Sequence, residues 1–574
     1  MSGPSRNGWA CRTRRRQASD PDPLACATRQ GRSVEQRLQG SGGVLFGPLH
    51  HCPGPRGDRS LTKRPNILLI TSDQHRPDCF GFAERNIKTP NLDRLAREGT
   101  RFDCAITPNV LCQPARASIL TGMLPLTHGV TDNRISLDSE LGERGWGRVL
   151  SDNGYLTGLV GKAHFGSDPK ATGWGAPESR NDSRSFPEDW HGPYMGLDHL
   201  DLLLIGHWHP LLPCERPPGG HQFERWFHGH KDAWKRWAKD SRTGKDAQYG
   251  TVAAQTWSSD LPPEWHTTTW VTDKAREFLR SADPDQPFCT WVSYPDPHHP
   301  FDCPAPWSEM YDPATIDISP THKRDLDRRP WWHRAALENR PQEENPQVQR
   351  LREEYSRILP QTDDQLAAMT ANYYGMISFI DDGIGRILDT LRETGLDENT
   401  IVVFTADHGE LLGDHGLYLK GPTHYDGLLR VGLVMRGPGI PECHRIADPV
   451  STLDLAATFY DWAGVRQPEG IESRSLVPVI EDRERREFAY NEWDLGPARC
   501  GVELKLRTLR TKRHRITVDL ISGAGELYDL ETDPLEMTNL FDEPAHQGMV
   551  GRLTAMIPDR ARATWNAKRE VHNL

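Results

Sequence analysis

The chain is 574 residues long, carries a formal net charge of −11 and is 36% hydrophobic, enough to bury more than one core, with no apolar run that crosses a bilayer. The acidic balance excludes a mainly electrostatic nucleic-acid binder, and no membrane partner is expected. Its cysteines, at 11, 26, 52, 79, 104, 112, 214, 289, 303, 443 and 500, contain no CxxC pair and are too sparse for a disulfide framework, which predicts a reduced, cytoplasmic setting.

Residues 1–63 are rich in Gly, Pro, Ser and Arg without periodicity, and read as a disordered basic extension. Arg14–Arg16 precede no apolar stretch of export-signal length. Ordered sequence begins at "RPNILLITSDQ", where an apolar, β-branched run from Asn66 stops at Ser72 and Asp73, a buried strand ending in a carboxylate. "TPNLDRLAREG" (89–99) has Leu92 and Leu95 on one helical face. In "CQPARASILTG" (112–122), Pro114 suits the first turn of a helix that Gly122 ends. Cys112 then sits at the positive end of that helix with Arg116 on its face. Such a thiol is either a low-pKa nucleophile or a buried structural cysteine.

Three further strands carry polar residues at their ends: "YLTGLVGKAH" (155–164), "FCTWVSYPDPHHP" (288–300) and "TIVVFTADHGE" (400–410). A helix is expected over 373–395 and another over 447–465. Alternation of strands and helices implies an α/β fold, a large, mostly parallel sheet flanked by helices. Asp73, Lys162, His164, His298, Asp407 and His408 would then converge beyond the carboxyl ends of the strands. Each alone has a plainer explanation as a cap, a turn former or a solvated side chain. An insert at about 180–270 carries Trp190, Trp208, Trp226, Trp234, Trp237, Trp257, Trp265 and Trp270 among His207, His209, His228 and His230. These aromatics either pack a lid or an oligomer contact, or line a wall that stacks on a leaving group. Residues 64–485 are read as the catalytic domain and 486–574 as a C-terminal subdomain with a small antiparallel sheet, in which the basic run Lys512–Arg515 is expected to be a solvated face.

"CQPARASILTG" resembles the sulfatase signature Cys-x-Pro-x-Arg-x-x-x-Leu-Thr-Gly at Cys112, Pro114, Arg116, Leu120, Thr121 and Gly122, and the likeness extends over residues 64–540. The resemblance implies a member of the alkaline phosphatase superfamily in which Cys112 is oxidised by a formylglycine-generating enzyme to formylglycine (3-oxoalanine), whose hydrate attacks a small-molecule sulfate ester and forms a covalent hemiester. It implies one divalent cation, Ca²⁺ or Mn²⁺, held by Asp73, Gln74, Asp407, His408 and the residue at 112. It further implies Lys162 and Arg116 as anion-holding cations, His164 as a base, His298 with Lys420 as proton donors, and Asn133 as a neutral, substrate-binding donor near the nucleophile. Gln74 and His408 stand where many sulfatases have a second aspartate and an asparagine; this set is nearer the phosphonate monoester hydrolase and choline sulfatase branches. A phosphonate monoesterase or phosphodiesterase is therefore the alternative, and a catalytically silent binding protein the third reading.

Overall fold

The computed structural model describes residues 64–560 apart from 84, 167–175, 180–181, 205–219, 231, 233–235, 237–252 and 355. The expected N-terminal extension lies outside them. The strands are, in chain order, β1 (Asn66–Ser72), β2 (Thr100–Ile106), β3 (Leu156–Lys162), β4 (His199–Leu203), β5 (Thr256–Ser259), β6 (Phe288–Tyr294), β7 (Phe301–Pro304), β8 (Thr400–Ala406), β9 (Arg430–Arg436), β10 (His444–Ile446), β11 (Val450–Ser451), β12 (Phe488–Leu495), β13 (Leu504–Thr511), β14 (His514–Asp519) and β15 (Gly525–Asp529).

Nine of these form one sheet in the order β10-β2-β9-β8-β1-β6-β3-β4, with β11 also on β2. Of them β9 alone runs against its neighbours. β12 to β15 make a separate antiparallel sheet, and β5 pairs with β7. The architecture is thus the expected α/β one: a large, mostly parallel sheet with helices, followed by a smaller antiparallel sheet.

The apolar runs behave as strands buried on both faces. On β1, Ile67 and Leu69 enter one core while Leu68 and Ile70 enter the other; on β8, Ile401 and Val403 are likewise separated from Val402 and Phe404. This is the two-residue period of a pleated strand, and each such fully buried side chain contributes about 1.5–3 kcal/mol. The first core is covered by the helices Cys112–Thr121, Trp146–Ser151 and Leu455–Ala463, the second by Pro90–Arg97, Thr267–Ser281 and Asp363–Glu393.

Three expectations need correction. The long helix starts at Asp363 rather than Tyr373, because Thr362 and Gln365 form a capping box and Leu366 and Met369 already face a buried cluster. The segment 447–465 is helical only from Leu455 to Ala463; Val450–Ser451 pairs with β2, and a second capping box, Ser451 with Asp454, starts the turn after it. In the basic run, Lys512 and Arg513 are exposed but Arg515 is fully buried, since alternation along β14 turns it toward Glu526 and Glu536.

Candidate active site

The central strands set the site. Register places Ser72 of β1 opposite Ala406 of β8 and Tyr294 of β6, so Asp73 and Asp407 leave neighbouring strands at the same level. Gln74, at φ +63°, turns the chain sharply enough for its backbone N–H to donate to Asp407 Oδ1 at 3.1 Å. Lys162 ends β3, and Gly161 before it has φ +110°, with a Cβ there falling 2.0 Å from the Ser293 carbonyl oxygen. Only glycine lets β3 approach β6 at that point.

Cys112 is the first residue of its helix, which ends at Gly122 in the left-handed conformation (φ +70°). The loop into it is fixed by Asn109, whose Oδ1 accepts from Leu111 N at 3.0 Å. Asn133, expected as a donor near the nucleophile, uses its Oδ1 to accept from Gln113 N at 3.1 Å, so it satisfies a first-turn N–H of the nucleophile's helix.

Ligand atoms of Asp73, Cys112, Asp407 and His408 all lie within 4.8 Å of one another, and all four residues are buried. Cys112 Sγ lies 3.4 Å from Asp73 Oδ1 and 3.2 Å from His408 Nε2. Lys420 Nζ donates to Cys112 Sγ at 2.8 Å and to His298 Nε2 and His408 Nε2 at 3.1 Å each. Lys162 Nζ donates to Asp73 Oδ2. Burial alone would push the Cys112 thiol up; Lys162, Lys420 and His408 outweigh it and hold the thiol well below its usual value. Asp73 is likewise held at about 2 against burial and the neighbouring sulfur, by Lys162, His298 and Lys420.

Arg116, expected as an anion-holding cation, has two of its nitrogens on protein partners. Its Nε donates to Asp407 Oδ2 at 2.9 Å and its Nη1 to Ser293 Oγ and the Lys162 carbonyl at 2.7 and 2.8 Å, so it orients carboxylates. His164 hydrogen-bonds to Cys112, and burial takes it down to about 3, which keeps the ring neutral. His298 donates from Nδ1 to the His299 carbonyl, so its Nε2 lone pair faces Lys420; burial and then the Lys420 charge lower its pKa.

Residues not singled out from sequence complete the site. Glu410 accepts from Gln74 Nε2 and from the backbone N–H groups of Leu412 and Leu419. His299 stacks on His298 with ring centroids 4.0 Å apart, and its Nδ1 accepts from Gln74 Nε2 at 3.1 Å. Glu178 receives the N–H groups of His164, Phe165 and Gly166 at 2.6, 2.9 and 3.1 Å, and so holds His164 in its φ +56° conformation. The only sequence signal for Glu410 and His299 was adjacency to residues already picked; Glu178 gave none.

The donors suit a hard divalent cation. Two carboxylates and an imidazole nitrogen converge, and beside them Gln74 Oε1 is buried with no hydrogen-bond partner. An orphaned amide oxygen next to two carboxylates fits a cation shell. The other such grouping among the described residues, His191, His199 and Asp201, has a sufficient explanation as two imidazole rings sharing one carboxylate, both lying 3.2 Å from Asp201.

Of the insert's tryptophans, Trp190 packs edge-on against Phe186 and Trp270 against Phe223, while Trp226 and Trp265 lie against the second core. These serve the scaffold. Trp208, Trp234, Trp237, His207 and His209 lie outside the described residues. No helix among those described is long and apolar enough to cross a membrane.

Comparison with known proteins gives a consistent picture. Residues 65–465 match the family model described as Sulfatase, and residues 413–562 that of N-sulphoglucosamine sulphohydrolase, C-terminal. The chain is 29% identical over 509 residues to the arylsulfatase of Clostridium perfringens (strain 13), covering 86% of this chain and 94% of that one. It is 29% identical over 514 residues to the choline-sulfatase of Rhizobium meliloti (strain 1021), covering 88% of each. Among solved structures, the phosphonate monoester hydrolase of Agrobacterium radiobacter aligns with a TM-score of 0.65 at 25% identity, over 86% of this chain and 94% of that chain.

Proposed function

The chain belongs to the sulfatase family, and within it we propose a metal-dependent hydrolase of small sulfate esters whose nucleophile is a formylglycine made from Cys112. The observation that carries this reading is the position of Lys420, whose ammonium touches the Cys112 sulfur, the His298 ring and the His408 ring at once. A nucleophile, a proton donor and a metal ligand thereby share one cation.

Formylglycine, when hydrated, supplies two hydroxyls on one carbon, one to accept the sulfuryl group and one to release it. Asp73, Gln74, Asp407 and His408 would hold a divalent cation, Ca²⁺ or Mn²⁺, which when bound lowers the pKa of an oxygen nucleophile and draws charge from ester oxygens. The protein's own residues do the rest. Arg116 holds Asp407 in place from below, and Lys162 does the same for Asp73 while presenting positive charge to the anion. His164, neutral and directed at residue 112, takes the proton of the releasing hydroxyl. Lys420 and His298 share a proton along their hydrogen bond and pass it to the leaving oxygen. Asp73, Arg116, Lys162, His164, Asp407 and His408 are buried, which excludes water from those charges and strengthens their interactions, while Lys420 and His298 are half-buried at the open side.

The test is expression with and without a formylglycine-generating enzyme. Specific activity toward an aryl sulfate is expected to rise in proportion to the aldehyde fraction at residue 112 measured by mass spectrometry. Sustained turnover by protein shown to hold only the free thiol would overturn the reading. The pairing of Gln74 with His408 favours a second reading, hydrolysis of a phosphonate monoester or phosphodiester with the same nucleophile. The sulfate reading ranks first because Lys162 and His164 form the pair that the resemblance assigns to sulfatases. A higher kcat/KM for a phenyl phosphonate monoester than for an aryl sulfate would reverse that order.

A further inference from the structure

Gln74 is a weak point in any cation shell. Unlike a carboxylate it offers an oxygen on one side and an NH₂ on the other, and nothing in its own bonding decides which side faces the site. We infer that Glu410 is the positioning residue that decides it, holding the Gln74 amide oxygen-outward for the cation and, with its other oxygen, setting the loop that delivers Lys420. The inference rests on the metal-dependent reading above.

The accounting of hydrogen bonds carries it. Gln74 Nε2 has two acceptors, Glu410 Oε2 and His299 Nδ1. Its Oε1 is buried without a partner. Both acceptors lie on the Nε2 side of the amide, Glu410 Oε2 and His299 Nδ1, while no donor reaches Oε1. Turning the amide over would set its oxygen against Glu410 Oε2 and the His299 lone pair. The rest of Gln74 is equally fixed, its backbone N–H on Asp407 and its carbonyl accepting from Tyr373 Oη at 2.7 Å.

The other carboxylate oxygen of Glu410 faces the loop that follows β8. Oε1 accepts from Leu412 N at 2.9 Å and from Leu419 N. Leu412 and Leu419 both have positive φ, +43° and +60°, conformations that a leucine holds only where the surroundings impose them. Leu419 directly precedes Lys420. One fully buried carboxylate therefore ties a cation ligand from the end of β1 to the loop carrying the ammonium that touches Cys112. It acts through Gln74 and Leu419.

The amide–carboxylate pair can be exchanged, and this supplies the test. In Glu410→Gln, the new side chain can still accept from Leu412 and Leu419, but it turns an NH₂ toward Gln74 and favours the reversed amide, NH₂ toward the cation. Mn²⁺ and Ca²⁺ affinities of the purified full chain, measured by calorimetry on apo-protein, are expected to weaken about 10–100-fold. In the double variant Gln74→Glu with Glu410→Gln, the glutamine donates to the glutamate and an oxygen faces the site again, so affinity is expected to return to within about tenfold of the parent. Equal affinity in the parent and in Glu410→Gln would overturn the inference, as would a double variant as weak as the single one. Failure of both variants to fold, judged by thermal melting, would assign Glu410 a purely structural role and also overturn it. A parent protein that binds neither cation would instead refute the metal-dependent reading beneath it.

Discussion

Two of the buried ionic clusters among the described residues are built on opposite plans. Beside the small sheet, charges close on one another in pairs: Arg510 grips Asp426 with two bonds of 3.0 and 2.9 Å, and Arg515 donates to Glu526 at 2.8 Å and to Glu536. At the carboxyl ends of the large sheet, Asp73, Cys112, Asp407 and His408 instead aim their ligand atoms at one another within a 4.8 Å space. Both clusters shift pKa values, so a shifted pKa does not by itself mark a site. Convergence of lone pairs does, because like groups are brought together only if something positive is meant to lie among them.

This contrast is breakable by experiment. The largest expected effect belongs to the convergent cluster: Cys112→Ser should lower kcat by at least roughly 10³-fold while leaving the melting temperature near that of the parent. A single hydroxyl can accept a sulfuryl group but has no second one to expel it. A serine variant with sustained turnover would erase the distinction.

The paired cluster should show the converse. Glu526→Gln removes one of the two carboxylate charges that hold the fully buried Arg515 and is expected to cost about 3–5 kcal/mol of stability in chemical denaturation. The kcat of the protein that remains folded should not change. Loss of activity at unchanged stability would mean that the small sheet takes part in catalysis.

Acid unfolding sharpens the same point. Burial would raise the Glu526 carboxyl, but Arg515 and His333 hold it down at about 2 from an ordinary 4.5. A carboxyl with a depressed folded-state pKa stabilises fully above its unfolded value and loses that contribution as pH falls. Between pH 4.5 and about 2 the parent should therefore lose about 3 kcal/mol through this group. The acid limb of Glu526→Gln should be flatter by that amount; limbs of equal slope would contradict the assignment.

The smallest effect concerns the proton donor. His298→Ala should slow esters with poor leaving groups by about 10²-fold and nitrophenyl esters far less, since the latter depart without a proton. Equal losses across a leaving-group series would confine His298 to binding.

Much of the convergent cluster was legible because strand ends are punctuated in the chain. The apolar runs of β1, β3, β6 and β8 stop at Asp73, Lys162, the Asp296–His299 turn and Asp407, and parallel packing brings such ends together. Roles were less legible than positions. Arg116 shares a helical face with Cys112, yet it serves Asp407 and Ser293, because which partner a guanidinium takes depends on strand register. Asn133 was read as a donor, and the contact of its oxygen with Gln113 N, which ties it to the nucleophile's helix, was not foreseen. Glu410 and Glu178 act through backbone N–H groups, contacts that leave no pattern of residue types. The paired cluster was invisible in the basic run at 512–515, because the run straddles an element boundary: Arg513 lies in the exposed turn before β14, whereas Arg515 lies within the strand and in the interior.

The strand order carries a consequence for how the chain reaches this state. β1 lies at the middle of the large sheet, yet its neighbours β6 and β8 begin only at residues 288 and 400. During synthesis the segment Asn66–Ser72 must wait, apolar on both faces and with its ladder groups unmatched, until most of the polypeptide has emerged. Pairings of this separation close slowly, and a waiting strand is a template for intermolecular association. Fragments ending between β6 and β8 should accordingly collect in the insoluble fraction.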